Sequence, residues 1–312
     1  MTVYTDPGQY PPTPDSVVTI GAYDGVHLGH RVILDRIVAL ARARSAPSVV
    51  LSFHPHPRLV VGPQEGGLEL LTTTEEKTQR LAAAGIDRLV LYPFTAAFSE
   101  TDSDTFIRKV LVEELQARTV VVGYDHRFGR GRGGGLDELR KGGQRYGFEV
   151  EEIPPQAIDD AKVSSTRIRQ ALQGGQLAEA NRLLGYPYSL TGTVVQGKQL
   201  GRTLGYPTAN LVPVDPHKLV PALGIYAVQC TTAAGAVYPG LLSIGTNPTV
   251  SSGATRTIEA FLIGFSGDLY GQPLTVALVA YLRPEARFDS LEALRAQMDA
   301  DRAAAEQLFA RL

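Results

Sequence analysis

The chain has 312 residues, and at roughly 150 residues per domain that length predicts two domains, each long enough to bury a core. Hydrophobic residues at 44% and charged residues at 20%, with 32 Gly and 20 Pro, exclude a low-complexity chain, and no apolar run reaches the roughly 18 residues of a membrane helix. Net charge is −2, divided as −2 and 0 about Gly185, so neither half reads as a basic nucleic-acid surface.

In chain order, Val17–Gly21 (VVTIG) reads as a buried strand and a helical pattern follows from Leu28 to Arg44. Ser48–His54 is a second strand, and the helix after it starts at Thr73, where Thr73 and Glu76 have capping-box spacing, and stops at Gly85. Arg88–Tyr92, a helix over 104–115 and Thr119–Gly123 repeat the unit. A Gly-rich loop (Gly129–Gly135), a helix over Leu136–Tyr146, a strand at Phe148–Ile153 and two short helices ending at Leu184 complete it. Five strands, each leading into a loop and helix, predict a doubly wound α/β domain. The rhythm changes after Gly185, and the expected domains are 1–185 and 186–312. From Tyr188 to Tyr281 short runs rich in Val, Thr, Ile, Tyr and Leu, punctuated by Gly and Pro, predict an antiparallel sandwich or barrel. A terminal helix over Ser290–Arg311, with Asp289 and Glu292 spaced as a capping box, closes the chain.

The first strand runs straight into Gly21-Ala22-Tyr23-Asp24-Gly25-Val26-His27-Leu28-Gly29-His30. Gly21, Gly25 and Gly29 at a strand-to-helix turn allow close backbone approach, and the helix N-terminus favours an anion, so the segment reads as a phosphate cradle. His27 and His30, three residues apart, fall on one side of the first turn and can donate to phosphate oxygens as charge develops. A metal site using His27, His30, His54 and His56 is the competing reading. His54-Pro55-His56-Pro57 reads equally as a rigid connection. Lys162 to Arg169, with Ser164, Ser165, Thr166 and Arg169, is a second helix start suited to an anion, or an ordinary cap with solvated arginines.

The lone Cys230 excludes an internal disulfide and a Cys-rich zinc site, so an expected metal is a hard cation such as Mg²⁺ arriving with a substrate. In the second half, Gly192–Asn210 is glycine-dense for a β segment, as a nearby ligand or a barrel corner would require. Thr208 and Asn210 alternate by two, so both side-chain oxygens share a face and suit Mg²⁺. Glu259 is the one charge in TIEAFLI, on the face with Thr257 and Phe261. It reads either as an outward carboxylate or as a base for a primary alcohol.

Together these segments are more specific than any one alone. Gly-x-x-Asp-Gly-x-His-x-Gly-His and Ser-Ser-Thr-x-Ile-Arg resemble the HxGH nucleotidyltransferases, and more closely the adenylyltransferase half of bacterial bifunctional riboflavin kinase/FAD synthetases. Phe53-His54-Pro55-His56-Pro57 and Gly123-Tyr124-Asp125-His126-Arg127-Phe128-Gly129 agree. Ala22-Tyr23 stand where that family usually has Asn-Phe, His126 replaces a Phe and Lys162 an Arg. The second half, from Gly192 through Pro207-Thr208-Ala209-Asn210 to FDSLEAL, resembles riboflavin kinase, with Asn247 where Arg is common.

The resemblance implies a Rossmann-like domain and a six-stranded antiparallel barrel with a terminal helix. It implies ATP, riboflavin and FMN as small-molecule partners, FAD as product, and Mg²⁺ with ATP. By its motifs His27, His30 and Glu259 are the catalytic residues, with Glu259 deprotonating the ribityl hydroxyl. Gly21, Gly25, Gly29, Ser164, Ser165, Thr166, Arg169, Gly197, Gly201 and Arg202 bind ATP or phosphate. Tyr23, His56, Asp125 and Phe128 meet the flavin, and Thr208 and Asn210 hold the metal. A related transferase with another acceptor, or a flavin-binding module without turnover, stays open; the kinase-like half weighs against the first and the intact candidate residues against the second. Nucleic-acid and membrane partners are not expected, a homo-oligomer is allowed, and, with no apolar signal core in the first sixteen residues, a cytoplasmic location is expected.

Overall fold

Every residue of the strand Ser16–Ile20 is buried, as a strand covered on both faces requires. Val18 and Ile20 enter one apolar cluster with Val49, Leu51, Val120 and Val122, while Val17 enters another with Val50, Leu89 and Val121. Phe106, Val110, Leu111 and Leu139 cover the first face; Leu34, Ile37, Val38 and Leu81 cover the second. This structure, a computed structural model, describes residues 1–11, 13–62, 67–154, 163–197, 201, 205–247 and 255–311. Lys162, Arg202 and the side chain of Asn247 lie outside the described residues.

The chain divides into two units, Met1–Ser165 and Thr166–Leu312. In the first, β1 (Thr2–Tyr4), β2 (Ser16–Ile20), β3 (Ser48–His54), β4 (Arg88–Pro93), β5 (Ala117–Gly123) and β6 (Glu149–Ile153) form a six-stranded sheet in the order β1-β4-β3-β2-β5-β6. All of its pairings are parallel. The helices are α1 (Leu28–Ala43), α2 (Pro57–Val61), α3 (Thr74–Ala83), α4 (Ala96–Ser99), α5 (Ser103–Phe106) and α6 (Leu136–Tyr146). Order reverses between β2 and β5, so the crevice at their carboxyl ends is where a doubly wound sheet takes a ligand.

Within the first unit, two details differ from the sequence expectation. A sixth strand, β1, pairs with β4; at 3 residues it is too short to carry a pattern of its own. The helix expected over 104–115 is α5 followed by a π-helical run, Ile107–Glu114, which buries Ile107, Val110 and Leu111. The apolar spacing reads alike for either helix type.

In the second unit, α7 (Ser165–Gln173), which starts at the division, and α8 (Leu177–Leu184) lead into the barrel. Asn181 Nδ2 donates to the Leu278 carbonyl at 2.9 Å and Asn181 Oδ1 accepts from the Tyr188 N–H at 2.8 Å, which ties α8 to the barrel wall. By packing, then, the helices of 166–184 go with the barrel, whereas the change of composition falls after Gly185. The barrel comprises β7 (Ser189–Val195), β8 (Ala209–Pro213), β9 (Gly224–Thr232), β10 (Val237–Asn247), β11 (Thr255–Leu262) and β12 (Pro273–Arg283), closed in the order β10-β11-β8-β7-β12-β9. Every pairing is antiparallel. Ile258, Ala260 and Leu262 are buried, and Phe261 joins the cluster built around Ala227, Leu241 and Ala305 with Leu308 and Phe309. The helix Leu291–Phe309 therefore packs outside the barrel, on the face of β11 that carries Glu259. Its cap is Ser290, whose hydroxyl accepts from the Ala293 N–H, and not the expected Asp289. No described helix is long and apolar enough to cross a membrane.

Candidate active sites

The loop leaving β2 is held in an unusual shape. Tyr23, Gly25 and Val26 have φ of 50°, 84° and 37°, the left-handed region that a β-branched residue such as Val26 adopts only under restraint. The restraints are on hand. The buried Asp24 carboxylate accepts from the N–H groups of Leu71 and Thr72 at 3.0 Å and from the Thr72 hydroxyl at 3.2 Å. Gly25 N–H donates to that same hydroxyl at 3.0 Å, and the Ser165 hydroxyl donates to the Asp24 carbonyl at 3.1 Å. Asp24→Ala would leave two buried N–H groups without their acceptor; at about 1–3 kcal/mol each, the expected loss is about 2–6 kcal/mol in denaturant unfolding. A loss under about 0.5 kcal/mol would count against this restraint.

His27 is the N-cap of α1: its Nδ1 accepts from the His30 N–H at 3.3 Å. The ring proton therefore sits on Nε2. The His27 and His30 rings stack 3.6 Å apart at 14°, and Tyr23 lies 5.0 Å from His30. Burial, then the neighbouring His27 and Lys77, hold the His30 pKa well below the ordinary imidazole value, so His30 is neutral. Its Nδ1 is buried with no partner among the described residues. His54 Nδ1 instead meets the Thr74 hydroxyl at 3.2 Å, and His56 caps α2 by accepting from Arg58 N–H at 3.1 Å. Among the described residues, no three His, Cys, Asp or Glu groups converge as metal donors.

Of the residues expected to meet the flavin, Asp125 is exposed and His56 half-buried. Tyr23 is 3% exposed, with its hydroxyl 2.7 Å from Thr19 Oγ1 and its ring against Gly21. Phe128, 7% exposed, packs on Phe106 and beside His126. Burial lowers the His126 pKa to about 4, so this ring is neutral too. Asp125 and His126 follow β5, and so border the β2/β5 crevice together with the glycine loop. Of the second helix start, Ser164 and Thr166 are exposed and Arg169 is half-buried; the Ser165 proton is committed to the Asp24 carbonyl, so Ser165 tethers the loop.

In the barrel, Thr208, Asn210 and Glu259 come together. Thr208 Oγ1 donates to Glu259 Oε2 at 3.1 Å, and Asn210 is the cross-strand partner of Glu259. A cleft of about 580 Å³ opens over them toward the terminal helix, lined by Gly197, Gly201, Leu241, Phe261, Phe288 and Met298 among others. A second, of about 650 Å³, is lined by Val194, Pro207, Leu262, Phe265, Asp268 and Tyr270. Thr208 lines both. A two-substrate transfer can use this arrangement: two cavities that share Thr208, whose hydroxyl donates to the carboxylate lining one of them.

A model of the FAD synthetase family matches residues 10–167, and one of the riboflavin kinase family matches 184–309. Bifunctional riboflavin kinase/FMN adenylyltransferases from Escherichia coli K12 and Listeria monocytogenes are 38% and 36% identical over 298 residues, covering 96% of this chain and 94% of each relative. The chain belongs to the bifunctional riboflavin kinase/FMN adenylyltransferase family. A crystal structure described as a macrolide-efflux protein from Streptococcus pneumoniae is 31% identical, with a TM-score of 0.87 and 98% of both chains covered. The two chains share their fold from end to end.

Within this family frame, the site holds two residues that the sequence reading left without a role. Asp24 stands inside the quoted motif, but its N–H partners lie 47 and 48 residues away. Lys77, 7% exposed, donates from Nζ to the Ser52 hydroxyl at 2.9 Å and the Ala22 carbonyl at 3.3 Å. On a helix reading TEEKTQRLAA it looks like a solvated charge, and no sequence signal marks it as buried.

Proposed function

We propose that the chain converts riboflavin to FMN in the barrel unit and FMN to FAD in the sheet unit, using one ATP in each step. Family membership supports both activities. The observation that carries the reading is the presence of two separate sites of the two required kinds: a restrained glycine loop with a His-capped helix, and a carboxylate bound by Thr208, the residue that two cavities share. The catalytic parts are 1–185 and 186–312, and a left-handed Gly185, with φ of 80°, ends α8 at the join.

In the kinase reaction the flavin ring occupies the cleft walled by Leu241, Phe261, Phe288 and Met298, and the nucleotide the cavity beyond Thr208. Glu259 accepts the proton of the ribityl 5′-hydroxyl as that oxygen attacks the γ-phosphorus, and ADP leaves. The hydroxyl of Thr208 and the amide oxygen of Asn210 are hard donors that fit Mg²⁺. A Cβ at Gly197 would lie 2.5 Å from Asn210 Cγ, so glycine there keeps that amide clear. Bound there, Mg²⁺ would neutralise phosphate charge. Gly197→Ala is expected to push the Asn210 amide aside and lower FMN formation at least tenfold, with little change in melting temperature because the amide can rotate; unchanged FMN formation would remove the role of Gly197.

In the adenylyl transfer the phosphate of FMN attacks the α-phosphorus of ATP and pyrophosphate leaves. The chain supplies position and donors: His27 Nε2–H, the α1 N-terminus beside Gly21, Gly25 and Gly29, and Ser164. Asp125 and His56 are the exposed and half-buried candidates for the flavin. ATP as a substrate supports a cytoplasmic location. Incubation with riboflavin and Mg-ATP tests the reading: FMN, FAD, ADP and pyrophosphate are expected. Absence of pyrophosphate would remove the adenylyltransferase activity, and absence of ADP the kinase.

A further inference from the structure

We propose that Lys77 is a positioning residue of the adenylyl-transfer site, its ammonium fixing the loop that carries His27 through the Ala22 carbonyl and the Ser52 hydroxyl. The proposal rests on reading the sheet unit as the adenylyltransferase. Lys77 sits on the first turn and a half of α3, and its Nζ reaches back to Ala22 at 3.3 Å and across to Ser52 on β3 at 2.9 Å, while Ser52 Oγ also donates to Ala22 at 3.2 Å. Two residues further along the loop, Asp24 and Gly25 are bound by Leu71 and Thr72, just before the same helix. Tyr23, with its φ of 50°, is therefore pinned between two anchors that both come from the start of α3. Because α3 is held against the sheet through Leu81, the loop inherits the position of the core.

Packing alone gives no reason for an amine here. A methionine would fill the same space without desolvating a charge, so a buried ammonium is retained for what it binds. The titratable groups facing it are Asp24 of the loop and His30 of α1, itself stacked on His27; from β3 it meets the Ser52 hydroxyl, while His54 at the end of that strand bonds Thr74. Burial pushes the amine down to about 8, against the opposing pull of Asp24, and its charge in turn disfavours protonation of His30. The protonated amine binds both acceptors, so the working form is lost as pH rises through that value.

The test uses the full chain as wild type, Lys77→Met and Lys77→Arg, with FAD formation from FMN and Mg-ATP, and FMN formation from riboflavin, each followed from about pH 6 to about pH 10. In the wild type, kcat for FAD formation is expected to fall as pH rises through about 8. Lys77→Met should lower that kcat about 100-fold at every pH with KM for ATP little changed, as a misplaced donor does. Lys77→Arg should keep activity and lose the alkaline limb, because guanidinium stays charged. FMN formation should be unaltered in both. Wild-type FAD formation by Lys77→Met, or an alkaline limb kept in Lys77→Arg, overturns the proposal. If Lys77→Met misfolds, the Lys77→Arg profile decides. A wild-type chain that makes no FAD overturns the adenylyltransferase reading and this proposal with it, whereas an active wild type matched by Lys77→Met overturns the proposal alone.

Discussion

Replacing His27 by Ala is expected to lower FAD formation about 100- to 1000-fold while riboflavin phosphorylation continues at its parent rate. The imidazole has two tasks here, and the substitution removes both. Its Nδ1 caps α1 by accepting from His30 N–H, and its Nε2–H is the donor proposed above for the developing charge. Loss of a cap costs about 1 kcal/mol of stability and would leave turnover largely intact. His27→Asn separates the tasks, because its amide oxygen can still cap while the imidazole donor is gone. Asn should therefore hold the melting temperature and still lose FAD formation; recovery of FAD formation in His27→Asn would assign the effect to the cap. Equal loss of both activities in His27→Ala would contradict separate sites.

Glu259→Gln should abolish most FMN formation, by about 100- to 10,000-fold, and spare FAD formation from supplied FMN. The amide is nearly isosteric and its oxygen can still accept from Thr208 Oγ1, so the cleft keeps its shape and only the proton acceptor is lost. A direct assay of riboflavin phosphorylation checks this, and a variant running at the parent rate would show that the carboxylate is not the base. The position on β11 makes the test specific: Glu259 lies on the outer face of the barrel, with Phe261 and away from the Ile258 and Ala260 core, so neutralising it should disturb packing little.

That face was legible from alternation alone, as was the parallel sheet, because β2, β3 and β5 are nearly continuous apolar runs that only a two-sided core can bury. What alternation could not say was whether the outward carboxylate met solvent or substrate. That depends on the terminal helix folding over it, a contact between residues about 40 positions apart. Asp24 and Lys77 were illegible for the same kind of reason: their partners, Leu71, Thr72, Ala22 and Ser52, lie tens of residues away. β1 was too short to read, and the cap of the last helix slipped one residue, from Asp289 to Ser290, because both side chains can accept from an amide. Tyr23 and Phe128 were placed at the flavin by the family resemblance; both rings lie in apolar clusters, a position that no residue spacing announces.

The tether from the Ser165 hydroxyl to the Asp24 carbonyl spans 141 residues. Made on the ribosome, the glycine loop leaves the tunnel early, but β2 has no β5 beside it until residue 117 follows, and the loop lacks its last anchor until residue 165 does. The glycine loop is thus among the first segments synthesised, yet its last anchor arrives 141 residues later. Any truncation before residue 165 would leave that loop one anchor short, however well the rest of the sheet had formed.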